Sequence, residues 1–171
     1  VGDIKLAFRS EFARFSDLET SIPLPNSQES DMGGRFVSPK MTAEEMAEAA
    51  IALGMKRMGF SAHAGMGFPT SWCMPPEVVI SYREEIARLK KKYESQIEIL
   101  YGIEQDYYSC LDTSDYDYVL GSVHYVYKDG EYISVDYTEK TFTDAVEKYY
   151  NGDFYAFAED YYDLVGNVAE K

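Results

Sequence analysis

The chain is poor in the residues that build covalent scaffolds or commit to metal chemistry by sheer number. It has two cysteines, Cys73 and Cys110, in 171 residues, too few for a disulfide framework and best read as free thiols in a cytoplasmic setting. It has two histidines, His63 and His124, so any imidazole site must use both or rest on one. No apolar run approaches the ~18–20 residues of a membrane-spanning helix, which predicts a protein without a membrane partner. No basic-then-apolar leader opens the sequence, so nothing predicts export. Basic charge is also scarce where it would matter. Residues 1–103 hold 12 basic and 14 acidic groups, but residues 104–163 hold 3 basic against 15 acidic. A nucleic-acid binder clusters Lys and Arg to meet phosphates, so this acidic half excludes nucleic acid as the expected partner. Such a face can surround a cation or simply keep the chain soluble.

What is present describes one globular domain, 1–171. Hydrophobic residues make up 46% and charged residues 27%, within the range of chains that bury a core. All 16 tyrosines lie between Tyr82 and Tyr162, spread as amphipathic wall residues rather than as a low-complexity tract.

Short alternating residues, Ile4 to Phe8, predict a first strand, and residues 18–40, rich in proline, glycine and polar side chains, predict a long loop. Thr42-Ala43-Glu44-Glu45 has the spacing of a capping box. Met46, Ala49, Ala50 and Leu53 follow at helical period up to Gly54. Met55 to Phe60 predicts a strand. Pro75-Pro76-Glu77 predicts a helix start, with Val79, Tyr82, Ile86, Leu89 and Tyr93 on its buried face and Lys90, Lys91 and Lys92 in its last turn. Strands are expected at Ile97–Tyr101 and Tyr118–Val123, and a hairpin turn at Asp129-Gly130. Two closing helices follow, one stopped by Asn151-Gly152. Strands alternating with helices predict an α/β fold with parallel pairing.

His63 and His124 each end a predicted strand, and Glu104 ends the strand between them. In a parallel α/β sheet or barrel the C-terminal strand ends collect on one face, where sites form. Two imidazoles and a carboxylate there have the donor types of a zinc, manganese or iron site. Each taken alone is more often a hydrogen-bonded structural residue, and it is the coincidence of all three at successive strand ends that raises the metal reading.

Gly59-Phe60-Ser61-Ala62-His63-Ala64, Ser71-Trp72-Cys73-Met74, Gly102-Ile103-Glu104, Asp117 to His124, and Gly152-Asp153-Phe154-Tyr155 together resemble the PHP (polymerase and histidinol phosphatase) superfamily, on its histidinol-phosphatase-like branch, over residues about 41–169. The resemblance implies a partial β/α barrel of the PHP type, about four of seven strands. It implies a hydrolase: a metal-dependent phosphatase acting on a phosphorylated small molecule, L-histidinol phosphate in histidine biosynthesis. His63, Glu104 and His124 match the family's metal positions, and the cofactor implied is a divalent transition metal (Zn, Mn or Fe). The set is incomplete. Anchored on Phe15-Ser16-Asp17, the first-strand His-x-His falls on Ser10 and Phe12, Ala62 stands where an aspartate is usual, and the family's C-terminal strands lie beyond Lys171. A complete β/α barrel takes about 250 residues, so an open barrel edge is expected to pair two copies as a homo-oligomer. Arg9 and Arg14 are candidate phosphate contacts. Asp106 is readable as a supporting acid or a solvated loop residue, and Cys73 as packing. The alternative reading is a non-catalytic domain of the same type, serving in binding or assembly.

Overall fold

The computed structural model describes residues 42–170. The expectations for Ile4–Phe8, Arg9, Ser10, Phe12, Arg14, Phe15-Ser16-Asp17 and the 18–40 loop lie outside the described residues.

Helix α1 (Ala43–Ala52) starts on the capping box that the sequence predicts. The Thr42 side chain accepts the Glu45 N–H, and the Glu45 carboxylate accepts the Thr42 N–H at 2.7 Å. Gly54, at φ +74°, turns the chain out of the helix, a conformation that costs glycine little. Met46, Ala47 and Ala50 are buried, but Leu53 is 77% exposed. The helix ends at Ala52, so Leu53, in phase with the buried stripe, sits one residue too late to share it.

Strand β1 (Arg57–His63) begins and ends later than the apolar run suggests, and alternates cleanly, with Met58, Phe60 and Ala62 buried. Helix α2 (Pro76–Lys92) follows and buries Val78, Tyr82, Ile86 and Leu89. Val78 rather than Val79 begins the buried face. Strand β2 (Glu98–Asp106) pairs parallel to β1, and β3 (Tyr118–Ser122) pairs parallel to β2, giving the order β1-β2-β3. The α/β class and parallel pairing are therefore as expected. The β2–β3 connection contains no helix. Its end is pinned instead: Tyr116 stacks on Tyr101 at 4.4 Å, and Asp117 exchanges backbone and side-chain bonds with Tyr101.

One face of the sheet packs on α1 and α2 in a core that includes Phe60, Tyr82, Ile86, Leu89, Ile99 and Ile103. Each large side chain fully buried there contributes about 1.5–3 kcal/mol. The other face is shaped by two glycines. A Cβ at Gly102 would overlap the Tyr118 ring, and one at Gly59 would lie 2.5 Å from the Tyr118 hydroxyl. Tyr118 thus lies across β2 and β1 over the two positions, Gly102 and Gly59, that carry no side chain.

The remainder forms a second, separate core. The hairpin β4 (Tyr125–Lys128) and β5 (Glu131–Ser134) turns at Asp129 (φ 49°) and Gly130 (φ 89°), the pair of left-handed residues a two-residue turn requires. Helix α3 (Glu139–Tyr150) is capped by Thr138 and stopped by left-handed Asn151. Helix α4 (Phe154–Asn167) is capped by Asp153, which accepts the N–H groups of Tyr155 and Ala156. Val126, Ile133, Val146, Tyr150 and Phe157 pack together, and Asp160 binds both Lys128 (2.7 Å) and Tyr150 (2.8 Å). Val123 is buried but belongs to neither core. No helix among the described residues is long and apolar enough to cross a membrane.

Glu44 on α1 joins Lys92 and Arg88 on α2. The hydrogen bond from the Lys92 ammonium and then that from the Arg88 guanidinium hold its carboxyl at about 2, below the ordinary 4.5. A depressed pKa contributes stability that is present above the unfolded value and lost as pH falls through the folded one. The stability difference between the wild-type chain and Glu44→Gln should therefore be fully present above about pH 4.5 and vanish toward pH 2. Urea midpoints of the two proteins across that range check it; a difference independent of pH would count against it.

Candidate metal centre

The parallel register brings the ends of β1 and β2 together, and His63 is the direct partner of Glu104. Strand β3 stops at Ser122, and His124 follows in the connection to β4. Its position is fixed on both sides: its N–H donates to Asp106 (2.7 Å), and its carbonyl accepts the Val135 N–H (3.0 Å).

His63 Nδ1 lies 3.6 Å and His124 Nε2 3.5 Å from the same oxygen, Glu104 Oε1. One donor atom from each of the three residues falls within 4.8 Å of the others. The three residues singled out in the sequence are thus brought to one place. The separations are too long for hydrogen bonds. Two donors each about 2.1 Å from a shared tetrahedral ion lie about 3.4 Å apart, which is close to both spacings. Two nitrogens and one carboxylate oxygen are also a suitable donor set for zinc, manganese or iron. On separation and chemistry alike the cluster fits a divalent transition metal.

Around it stand two further residues, one that the sequence leaves open between two roles and one to which it assigns none. Asp106 is not a solvated loop residue: it is the last residue of β2 and 3% exposed. It accepts two backbone bonds, from the N–H of His124 and from the N–H of Tyr108 (2.8 Å), and lies 3.1 Å from His124 Nδ1. Its position two residues past Glu104, on the same face of a strand, was the signal available. Trp72 is the other. Its ring meets the His63 ring edge-on at 4.9 Å and the His124 ring at 4.8 Å, and its Nε1–H donates to the Tyr125 hydroxyl. Nothing in the spacing of Trp72 announces this, since the loop carrying it folds back only in three dimensions.

Burial works against the charged form of His124. The hydrogen bond to Asp106 and the carboxylates of Glu104, Asp106 and Asp136 outweigh it and push its pKa above the ordinary 6.5. Cys73 is half-buried, and burial raises its thiol pKa despite hydrogen bonds that oppose the rise, as suits packing rather than nucleophilic attack. Cys110 is also a free thiol.

The PHP domain family model matches residues 37–170. A Bacillus subtilis protein named histidinol-phosphatase is 31% identical over 140 residues, covering 71% of this chain and 51% of that protein. A Deinococcus radiodurans protein named as a probable histidinol-phosphatase is 30% identical over 95 residues, covering 50% of this chain and 36% of that one. Among solved structures, a candidate histidinol phosphatase from Listeria monocytogenes aligns with 60% of this chain and 46% of its own, at 20% identity and a TM-score of 0.49. The chain spans about half the length of the Bacillus relative and about a third of the Deinococcus one.

Proposed function

The chain belongs to the PHP domain family, and from that membership we propose that it is, or forms part of, a metal-dependent phosphomonoesterase whose substrate is L-histidinol phosphate. The reaction is hydrolysis: water attacks phosphorus, the phosphorus–oxygen bond to the alcohol breaks, and the products are L-histidinol and phosphate. The names of the relatives support the substrate. The single observation that carries the proposal in this molecule is the meeting of His63, Glu104 and His124 at adjacent strand ends.

When bound, a divalent transition metal supplies Lewis acidity toward a phosphoryl oxygen and toward water. Glu104 provides the anionic donor, and the two imidazoles provide neutral ones. Trp72 packs against both imidazole rings. The scarcity of basic residues in 104–163 favours a small phosphorylated metabolite over nucleic acid.

Trp72 is the single tryptophan, which makes its emission a local probe. Titrating metal-free protein with Mn²⁺ or Zn²⁺ should change that emission saturably. The loaded protein should release phosphate from L-histidinol phosphate and stop when a chelator is added. An unchanged emission together with no ion retained on dialysis would end the metal reading. Retained ion without turnover would leave the non-catalytic alternative.

A further inference from the structure

We infer that Asp106 is a positioning residue: it fixes His124 in the tautomer that carries its proton on Nδ1 and turns the Nε2 lone pair toward Glu104 and the shared centre. The tautomer stands on the contacts alone; its consequence for ion binding rests on the proposed metal reading.

A carboxylate only accepts hydrogen bonds. Asp106 Oδ1 accepts the Tyr108 N–H, and Oδ2 accepts the His124 N–H. Two backbone donors on opposite oxygens hold the plane of the group, so it cannot swing away from the ring. Oδ2 also lies 3.1 Å from His124 Nδ1. With a bare Nδ1 this contact would set a lone pair against an oxygen of a carboxylate that is almost completely buried. With a proton on Nδ1 it is a hydrogen bond. Ser122 Oγ, 3.4 Å from the same nitrogen, can accept or donate and does not oppose this. A neutral ring protonated at Nδ1 has an unprotonated Nε2, the atom that lies 3.5 Å from Glu104 Oε1. The backbone bond and the ring bond end on one oxygen, so the placement of the strand end and the choice of tautomer are set together.

The test uses the whole chain, labelled with ¹⁵N and free of metal, at alkaline pH where the ring is neutral. There are two histidines, so long-range proton–nitrogen spectra contain two imidazole patterns, and comparison with His63→Gln assigns them. His124 should show a protonated Nδ1. In Asp106→Asn the single accepting oxygen cannot serve both Tyr108 and His124. The Nδ1-protonated population should fall, and affinity for Zn²⁺ should drop about 10–100-fold, the range for losing a supporting partner of a metal-bound histidine. A wild-type ring protonated at Nε2 would overturn the inference. So would an Asp106→Asn variant that binds Zn²⁺ as tightly as wild type, or one that loses affinity with its tautomer unchanged. If the variant does not fold, the wild-type spectrum decides alone. If the wild-type chain binds no ion, the proposed function fails while the spectrum still tests the tautomer.

Discussion

Replacing Glu104 with glutamine should leave a folded chain that no longer holds a divalent ion. The side chain is only partly buried, at 24% exposure, and glutamine preserves its shape, so little packing is lost. What disappears is the one charged donor, which lies 3.5–3.6 Å from both histidines. Two imidazoles without an anion between them make a weak site for hard or borderline cations. The expected loss of Zn²⁺ or Mn²⁺ affinity is at least ~100-fold, beyond the 10–100-fold that a supporting residue costs, and phosphate release should fall to background. Equilibrium dialysis and a phosphate assay measure the two effects, and a denaturation midpoint near wild type separates them from unfolding. A glutamine variant that bound the ion normally would remove Glu104 from the site.

The largest stability effect is expected at Gly102. Alanine there places a methyl group inside the volume of the Tyr118 ring. Overpacking of this kind costs about 1–3 kcal/mol when neighbours can yield. Here the obstacle is a ring laid against backbone, with its hydroxyl end over Gly59, so the cost should fall at the upper end. The remedy identifies the cause. Adding Tyr118→Ala removes the obstacle, and the two substitutions should couple by at least ~1 kcal/mol, in the range found for residues in contact. Urea denaturation of the four proteins gives the cycle; additive costs would show that ring and glycine do not meet. Gly102 precedes Glu104 by two residues on the same face, so the variant should also weaken ion binding even where it remains folded.

Much of this arrangement could be read from the residues because it is local or periodic. The capping box at Thr42, the proline entry to α2 and the Asp129-Gly130 turn are decided by a few neighbouring side chains and appear as expected. The convergence of His63, Glu104 and His124 was legible for a different reason: parallel strands send their ends the same way, so strand-end residues meet. Details that depend on distant chain were not. Strand β2 continues to Asp106 because β3 pairs with Gly102 through Asp106, and no local pattern contains that partner. Leu53 fits the helical period but falls beyond the last turn. Trp72 reaches both imidazoles from a loop whose path is set by tertiary contacts.

The two cores have a consequence for the site between them. His63 and Glu104 are carried by strands that pack on α1 and α2, whereas His124 leads directly into the hairpin that packs on α3 and α4. An ion gripped by all three would bridge two separately packed bodies, as a rivet joins two plates. Ligands that bind only the assembled form stabilise it by mass action, so an ion in the centre would add to the bonds that already join the two cores, Asp106 to His124 and Trp72 to Tyr125. A substitution deep in the helical pair, far from any donor atom, would then register as weakened metal affinity.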